Sequence, residues 1–269
     1  MQFTIVRSPA EHDLDHFKNL KRSRSHSNFI AEGEKVVVRL LESSLPIGSI
    51  YLTEEHFESK RALLEAHEQD SEIKVFIAKK GEMEEIVGFP LHQGILAACK
   101  VPPEPTLEEL IQKTASPRLF IILDEIADSE NMGSIYRTSL AMGATGVIVD
   151  PKSVHPWMRR SVRVSMGAMF SLPTISVSDL PSAITTLNNH NIPTYATTLS
   201  ETAKPIWDNT LDGDIALVFG SEGYGVSKDV IRACKGELLI PMSQSVDSLN
   251  VSIAQGVFLY EILRQRAKK

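Results

Sequence analysis

Cysteine is nearly absent from this 269-residue chain. Cys99 and Cys234 stand alone, without the spacing of a metal or redox pair. A disulfide framework is therefore excluded, and two reduced thiols in a cytoplasmic protein are expected. Long apolar runs are missing too, and none approaches the ~20 residues that a membrane span needs. The start, Met1-Gln-Phe-Thr-Ile-Val-Arg7, lacks the basic-then-apolar order of a secretory leader, so none is expected. Positive charge is not in excess. A net charge of −6 argues against a general nucleic-acid coat but leaves room for an enzyme that meets RNA through local patches. Candidate patches are Lys18, Lys21, Arg22 and Arg24, then Arg159, Arg160 and Arg163, then Arg264, Arg266, Lys268 and Lys269. Each is equally readable as a solvated face. The histidines have no metal-ligand spacing, so no metal site is expected.

What is present is ordinary for a folded protein: 42% hydrophobic and 23% charged residues. Val101-Pro-Pro-Glu-Pro105 is the clearest break, because three prolines stiffen the chain and interrupt helix and sheet. It divides the sequence into a domain over residues 1–100, a connector over 101–116 and a second domain over 117–269. Helices and strands alternate in the first domain, which implies an α/β sandwich. Apolar strands at 119–124, 146–149, 174–177, 193–197, 215–219 and 238–241 alternate with helices in the second. Strands this apolar are buried on both faces, as in a mainly parallel sheet. A nicotinamide-binding Rossmann turn would place Gly-x-Gly-x-x-Gly after the first of these strands. The chain reads Glu125-Ile-Ala-Asp-Ser-Glu-Asn131 there, and no P-loop occurs elsewhere.

Three polar loops follow three of these strands: Asn131-Met-Gly-Ser-Ile-Tyr-Arg137, Gly220-Ser-Glu-Gly-Tyr-Gly225, and the stretch from Ile240-Pro-Met242 to Ser248-Leu-Asn-Val251. Polar loops at the ends of buried strands are how an open α/β sheet builds a ligand site. Singly, each feature has a plainer reading. Asn131 and the Ser248–Asn250 pair read as helix caps, Glu222 as a turn carboxylate, the glycines as turn formers, and Arg137 as a surface ion-pair partner.

Together, in this order and spacing, the loops resemble the signatures of the SpoU-type (TrmH-like) RNA 2′-O-ribose methyltransferases of the SPOUT superfamily. The likeness covers roughly the last 150 residues, a domain-sized unit. Arg24 and Phe29-Ile-Ala-Glu-Gly33 resemble, less specifically, a ribosomal-protein-like RNA-binding domain fused to such enzymes. The likeness implies a C-terminal trefoil knot, S-adenosylmethionine as cofactor, a homodimer, and RNA as substrate, ribosomal RNA ahead of transfer RNA. It implies catalytic roles for Arg137, Asn131, Glu222, Ser248 and Asn250, with Glu222 orienting Arg137 or the adjacent loop. Cofactor contacts would come from Thr198, Leu199, Gly220, Ile240, Met242, Ser248 and Leu249. Lys18, Lys21, Arg22 and Arg24 would meet RNA. Two other expectations compete with this one: a non-catalytic RNA-binding protein that keeps the fold, and another α/β enzyme with a nucleotide cofactor.

Overall fold

A computed structural model describes residues 3–7, 11–18, 20, 27–67, 73–243 and 247–267. In chain order the strands and helices begin with β1 (Phe3–Arg7), β2 (Asn28–Glu32), α1 (Glu34–Leu41), β3 (Ile47–Leu52), α2 (Glu54–Ala66), β4 (Ile73–Ile77), α3 (Lys80–Val87) and β5 (Ile95–Lys100). They continue with α4 (Leu107–Lys113), β6 (Leu119–Asp124), α5 (Ser129–Ala141), β7 (Gly146–Val149), α6 (Arg159–Val164), β8 (Thr174–Ser176) and α7 (Leu180–Asn189). The last are β9 (Thr194–Thr197), β10 (Lys204–Pro205), β11 (Ile215–Gly220), α8 (Lys228–Ala233), β12 (Gly236–Leu239) and α9 (Val251–Arg266). A 3-10 turn over Glu11–Phe17 precedes β2.

The chain forms two compact units: residues 1–103 with 155–171, and residues 104–154 with 172–269. The first unit carries a five-stranded mixed sheet in the order β1-β4-β3-β5-β2. Residues alternate across each strand. Ile30, Tyr51, Phe76 and Leu96 therefore face one way, against Leu14, Phe17, Met83 and Val87.

The two units do not divide at the proline-rich connector alone, because His155–Ser171 groups with the first unit. The reason is packing. The Trp157 ring lies 4.7 Å from that of Phe29 on β2, and Phe170 lies 5.7 Å from it on the same cluster. Arg159 and Arg163 both reach the buried Glu32 carboxylate, and Arg159 covers the Phe89 ring at 4.3 Å. Arg159 and Arg163 are thus tied down, and Glu32 is an ion-pair partner at the end of β2.

The second unit is a seven-stranded parallel sheet in the order β10-β12-β9-β11-β6-β7-β8. Every residue of β6 is buried, as are all but the last of β11. On one face Phe120, Ile122, Ile148 and Val218 pack with α4, α7 and α8. On the other, Phe219 meets Phe258 of α9 at 5.9 Å, and α9 lies along α5. From β6 the chain winds outward to β7 and β8, then crosses to β9 on the other side of β6. That reversal opens a crevice at the carboxyl ends of β6 and β11, where open α/β sheets bind ligands.

Candidate active site

The crevice is built from the loops that end four strands. Asp128 caps α5, accepting from the backbone N–H of Glu130 at 2.5 Å and of Asn131 at 3.1 Å. Asn131, the plainer candidate for the cap, lies inside the helix, because α5 begins two residues earlier, at Ser129. Relieved of the cap, the Asn131 amide faces the crevice. Its Nδ2 donates to Glu222 Oε1, and its Oδ1 accepts from Asn250 Nδ2 at 3.0 Å. Asn250 does cap its helix, accepting from Ser252 N–H at 2.9 Å and Ile253 N–H at 3.4 Å. One hydrogen-bonded row, Asn250–Asn131–Glu222, therefore joins all three polar loops.

Beside this row lies a cavity of about 560 Å³, within the range of small-molecule sites. Thr198, Leu199, Gly220, Ile240, Met242, Ser248 and Leu249 all line it, as do Glu222 and Asn250. Phe219, Val226, Ile231 and Phe258 give it an apolar wall. Gly220 is held against the returning loop, since a Cβ there would stand 2.1 Å from the Gly225 carbonyl carbon. Ser221 and Gly225 close that loop with paired backbone bonds of 3.1 and 2.8 Å, and Gly225 takes a left-handed φ of 68°. Tyr224 projects from it, 94% exposed.

Arg137 does not line the cavity. It stands exposed on α5, without a hydrogen bond or ion pair among the described residues. Glu222, expected to orient Arg137 or the adjacent loop, accepts from Asn131, and no bond joins it to Arg137 among the described residues. Of the cations expected to meet RNA, Lys18 pairs with Asp15 at 2.8 Å, while Lys21, Arg22 and Arg24 lie outside the described residues. Among the described residues no group of three or more His, Cys, Asp and Glu is placed to hold a metal ion. No described helix is long and apolar enough to cross a membrane.

Two acidic residues of the site escaped the sequence reading. Asp124 ends β6 and accepts from Ser227 N–H at 2.7 Å, tethering the loop after β11. Burial pushes its carboxyl above the ordinary range, partly offset by that bond. Glu237, on β12, lines the cavity and takes the Thr198 and Thr202 hydroxyls at 2.8 Å each. Burial alone would raise its carboxyl, but the hydroxyls of Thr202, Thr198 and Ser200 outweigh it and hold the group below the ordinary range. A lone Glu next to apolar neighbours reads as edge charge, and only the fold brings the threonines to it.

A parallel sheet wrapped by helices, with a half-apolar cavity at its switch point, defines an α/β protein that binds a cofactor-sized ligand. The chain belongs to the SpoU rRNA Methylase family, whose sequence model matches residues 118–260. Residues 30–105 match a second model, described as RNA 2′-O ribose methyltransferase substrate binding. The chain is 34% identical over 227 residues to the 23S rRNA (guanosine-2′-O-)-methyltransferase RlmB of Pseudomonas putida, covering 83% of this chain and 90% of that protein. The SpoU methyltransferase AviRb from Streptomyces viridochromogenes, solved with AdoMet, shares the fold at a TM-score of 0.80 and 23% identity, over 96% of this chain and 99% of that one. A crystal structure of an RNA 2′-O ribose methyltransferase matches at a TM-score of 0.76 and 25% identity, over 98% and 100% of the two chains.

Proposed function

We propose that this protein transfers a methyl group from S-adenosylmethionine to a ribose 2′-hydroxyl of RNA, with ribosomal RNA preferred to transfer RNA. The observation that carries this reading is the Asn250–Asn131–Glu222 row beside the cavity. The cavity suits the cofactor on its own features: an apolar wall for adenine, glycine backbone at Gly220, and polar loops for the amino-acid end. When bound, S-adenosylmethionine supplies a methyl group already activated by its sulfonium. The chain's part is then to bind, orient and neutralise charge. Orientation alone lowers such a barrier by several kcal/mol. Asn131 and Asn250 fix the loops around the reacting centre, and Ser248 faces it. Arg137, whose guanidinium offers donors and no acceptor, stabilises the forming alkoxide and anchors a neighbouring phosphate.

The preference for ribosomal RNA follows the relative named as a 23S rRNA methyltransferase, and a cytoplasmic location accords with such a substrate. The first unit would hold that RNA, with Lys18, Lys21, Arg22 and Arg24 supplying phosphate contacts. Tyr224, exposed at the cavity rim, offers a ring to an unstacked base. We read the end of the chain as a trefoil knot. That reading accords with a chain that runs from β12, beyond β9, back to α9 on α5. A homodimer would account for α9, which keeps Ile253 (58% exposed), Val257 and Tyr260 exposed along one side.

The test is transfer of labelled methyl from S-adenosylmethionine to ribosomal RNA, with transfer RNA in parallel. Ribosomal RNA should be the better acceptor. Arg137→Ala should lower turnover by ~10²–10³ and leave affinity for S-adenosylhomocysteine unchanged. Near-normal turnover by that variant removes Arg137 from the centre of the mechanism.

A further inference from the structure

Glu237 has a carboxylate on the cavity wall that the reaction as described does not use. Oε2 accepts the Thr198 hydroxyl and Oε1 the Thr202 hydroxyl, each at 2.8 Å, and Ser200 bonds Thr202 at 2.8 Å from behind. An ionised carboxylate has about four acceptor positions. The Thr198 and Thr202 hydroxyls take one on each oxygen, and the nearby Ser200 hydroxyl donates to Thr202, which leaves one on each oxygen. No lysine or arginine pairs with it among the described residues. The three hydroxyls surround it with donors that hold it charged and fixed in place.

We propose that Glu237 is the acceptor for the ribose diol of the bound nucleoside cofactor. A vicinal diol presents two O–H donors side by side, which matches two free acceptor positions on adjacent oxygens. An acidic side chain that receives ribose hydroxyls is a general solution in nucleotide sites. The Thr198, Ser200 and Thr202 hydroxyls then act as positioning groups, turning the carboxylate toward the cavity and keeping it ionised. The proposal rests on the S-adenosylmethionine reading and adds to it the group that recognises the sugar.

The test is calorimetric binding to the full chain of S-adenosylhomocysteine and its 2′-deoxy and 3′-deoxy analogues, with wild type and Glu237→Gln. A hydrogen bond to a charged acceptor corresponds to about tenfold or more in affinity. Wild type should therefore bind each deoxy analogue at least about tenfold more weakly than the parent. Glu237→Gln should bind the parent more weakly, bind all three within about threefold of one another, and melt at the wild-type temperature. Equal binding of parent and deoxy analogues by wild type overturns the proposal and needs no variant. So does a Glu237→Gln protein that still discriminates, or one that loses selectivity for the purine amino group or the α-amino group instead. Failure of wild type to bind S-adenosylhomocysteine at all overturns the cofactor reading itself, and is distinct from the other results.

Discussion

At Gly220 the backbone of one loop is pressed onto the backbone of its own return, with no side chain between that could move aside. A methyl group there must push the Gly225 carbonyl away and open the wall of the cavity. Gly220→Ala should therefore lower cofactor affinity at least about tenfold, and it should cost ~1–3 kcal/mol of stability, as overpacking does. Calorimetry and urea unfolding measure the two effects. Wild-type behaviour in both would mean that the loop is slack. The residue scale is also where sequence reading reached furthest and stopped most sharply. Asn131, Glu222 and Asn250 are legible because each sits in a loop whose spacing is distinctive. Their pairing is not legible, since three residues more than 90 positions apart in part meet only through the sheet. Asn131 misled as a cap because Asp128, three residues earlier, is an equally good one.

Among the elements, the strands were the easiest to read, since β6, β7 and β11 are buried on both faces and correspondingly apolar. β10, two residues long, carries no periodicity at all. The amino ends of β6 and β11 are joined by a different device from the loops at their carboxyl ends. Asp214 accepts from Arg118 N–H at 2.7 Å, Arg118 Nη1 at 2.7 Å and Ser116 Oγ at 2.8 Å. Burial alone would raise the Asp214 carboxyl, but these donors outweigh it and hold the group below the ordinary carboxylate range. A lowered folded value means that stability from Asp214 is present above the unfolded value and is lost as pH falls through the folded one. Asp214→Asn should accordingly be less stable at neutral pH by ~1–3 kcal/mol. The gap to wild type should close in strong acid. Urea midpoints across pH measure this, and a gap independent of pH would show that Asp214 acts by packing alone.

At the scale of the whole molecule, the proposed division of labour maps onto the two compact units, with one complication that composition could not reveal. Residues 155–171 lie in the sequence of the second domain, yet they pack Trp157 and Phe170 on Phe29 of the first unit. A chain starting at 117 would also lose Leu107, Leu110 and Ile111 from the core under the sheet. A fragment over 104–269 should therefore bind S-adenosylmethionine, but lose RNA affinity and hydrogen-exchange protection across 155–171. Full protection there without residues 1–103 would show that the segment needs no partner from the first unit.

The most direct measurement is the chemical position of the methyl group in ribosomal RNA treated with the protein and S-adenosylmethionine. A 2′-O-methyl group removes the nucleophile that drives alkaline cleavage of the adjacent phosphodiester. The account predicts one protected step in the alkaline ladder and a 2′-O-methylated nucleoside on digestion. Both should be absent without S-adenosylmethionine and strongly reduced with Arg137→Ala. A methyl group found on a base, with every ribose still cleaved by alkali, would contradict it.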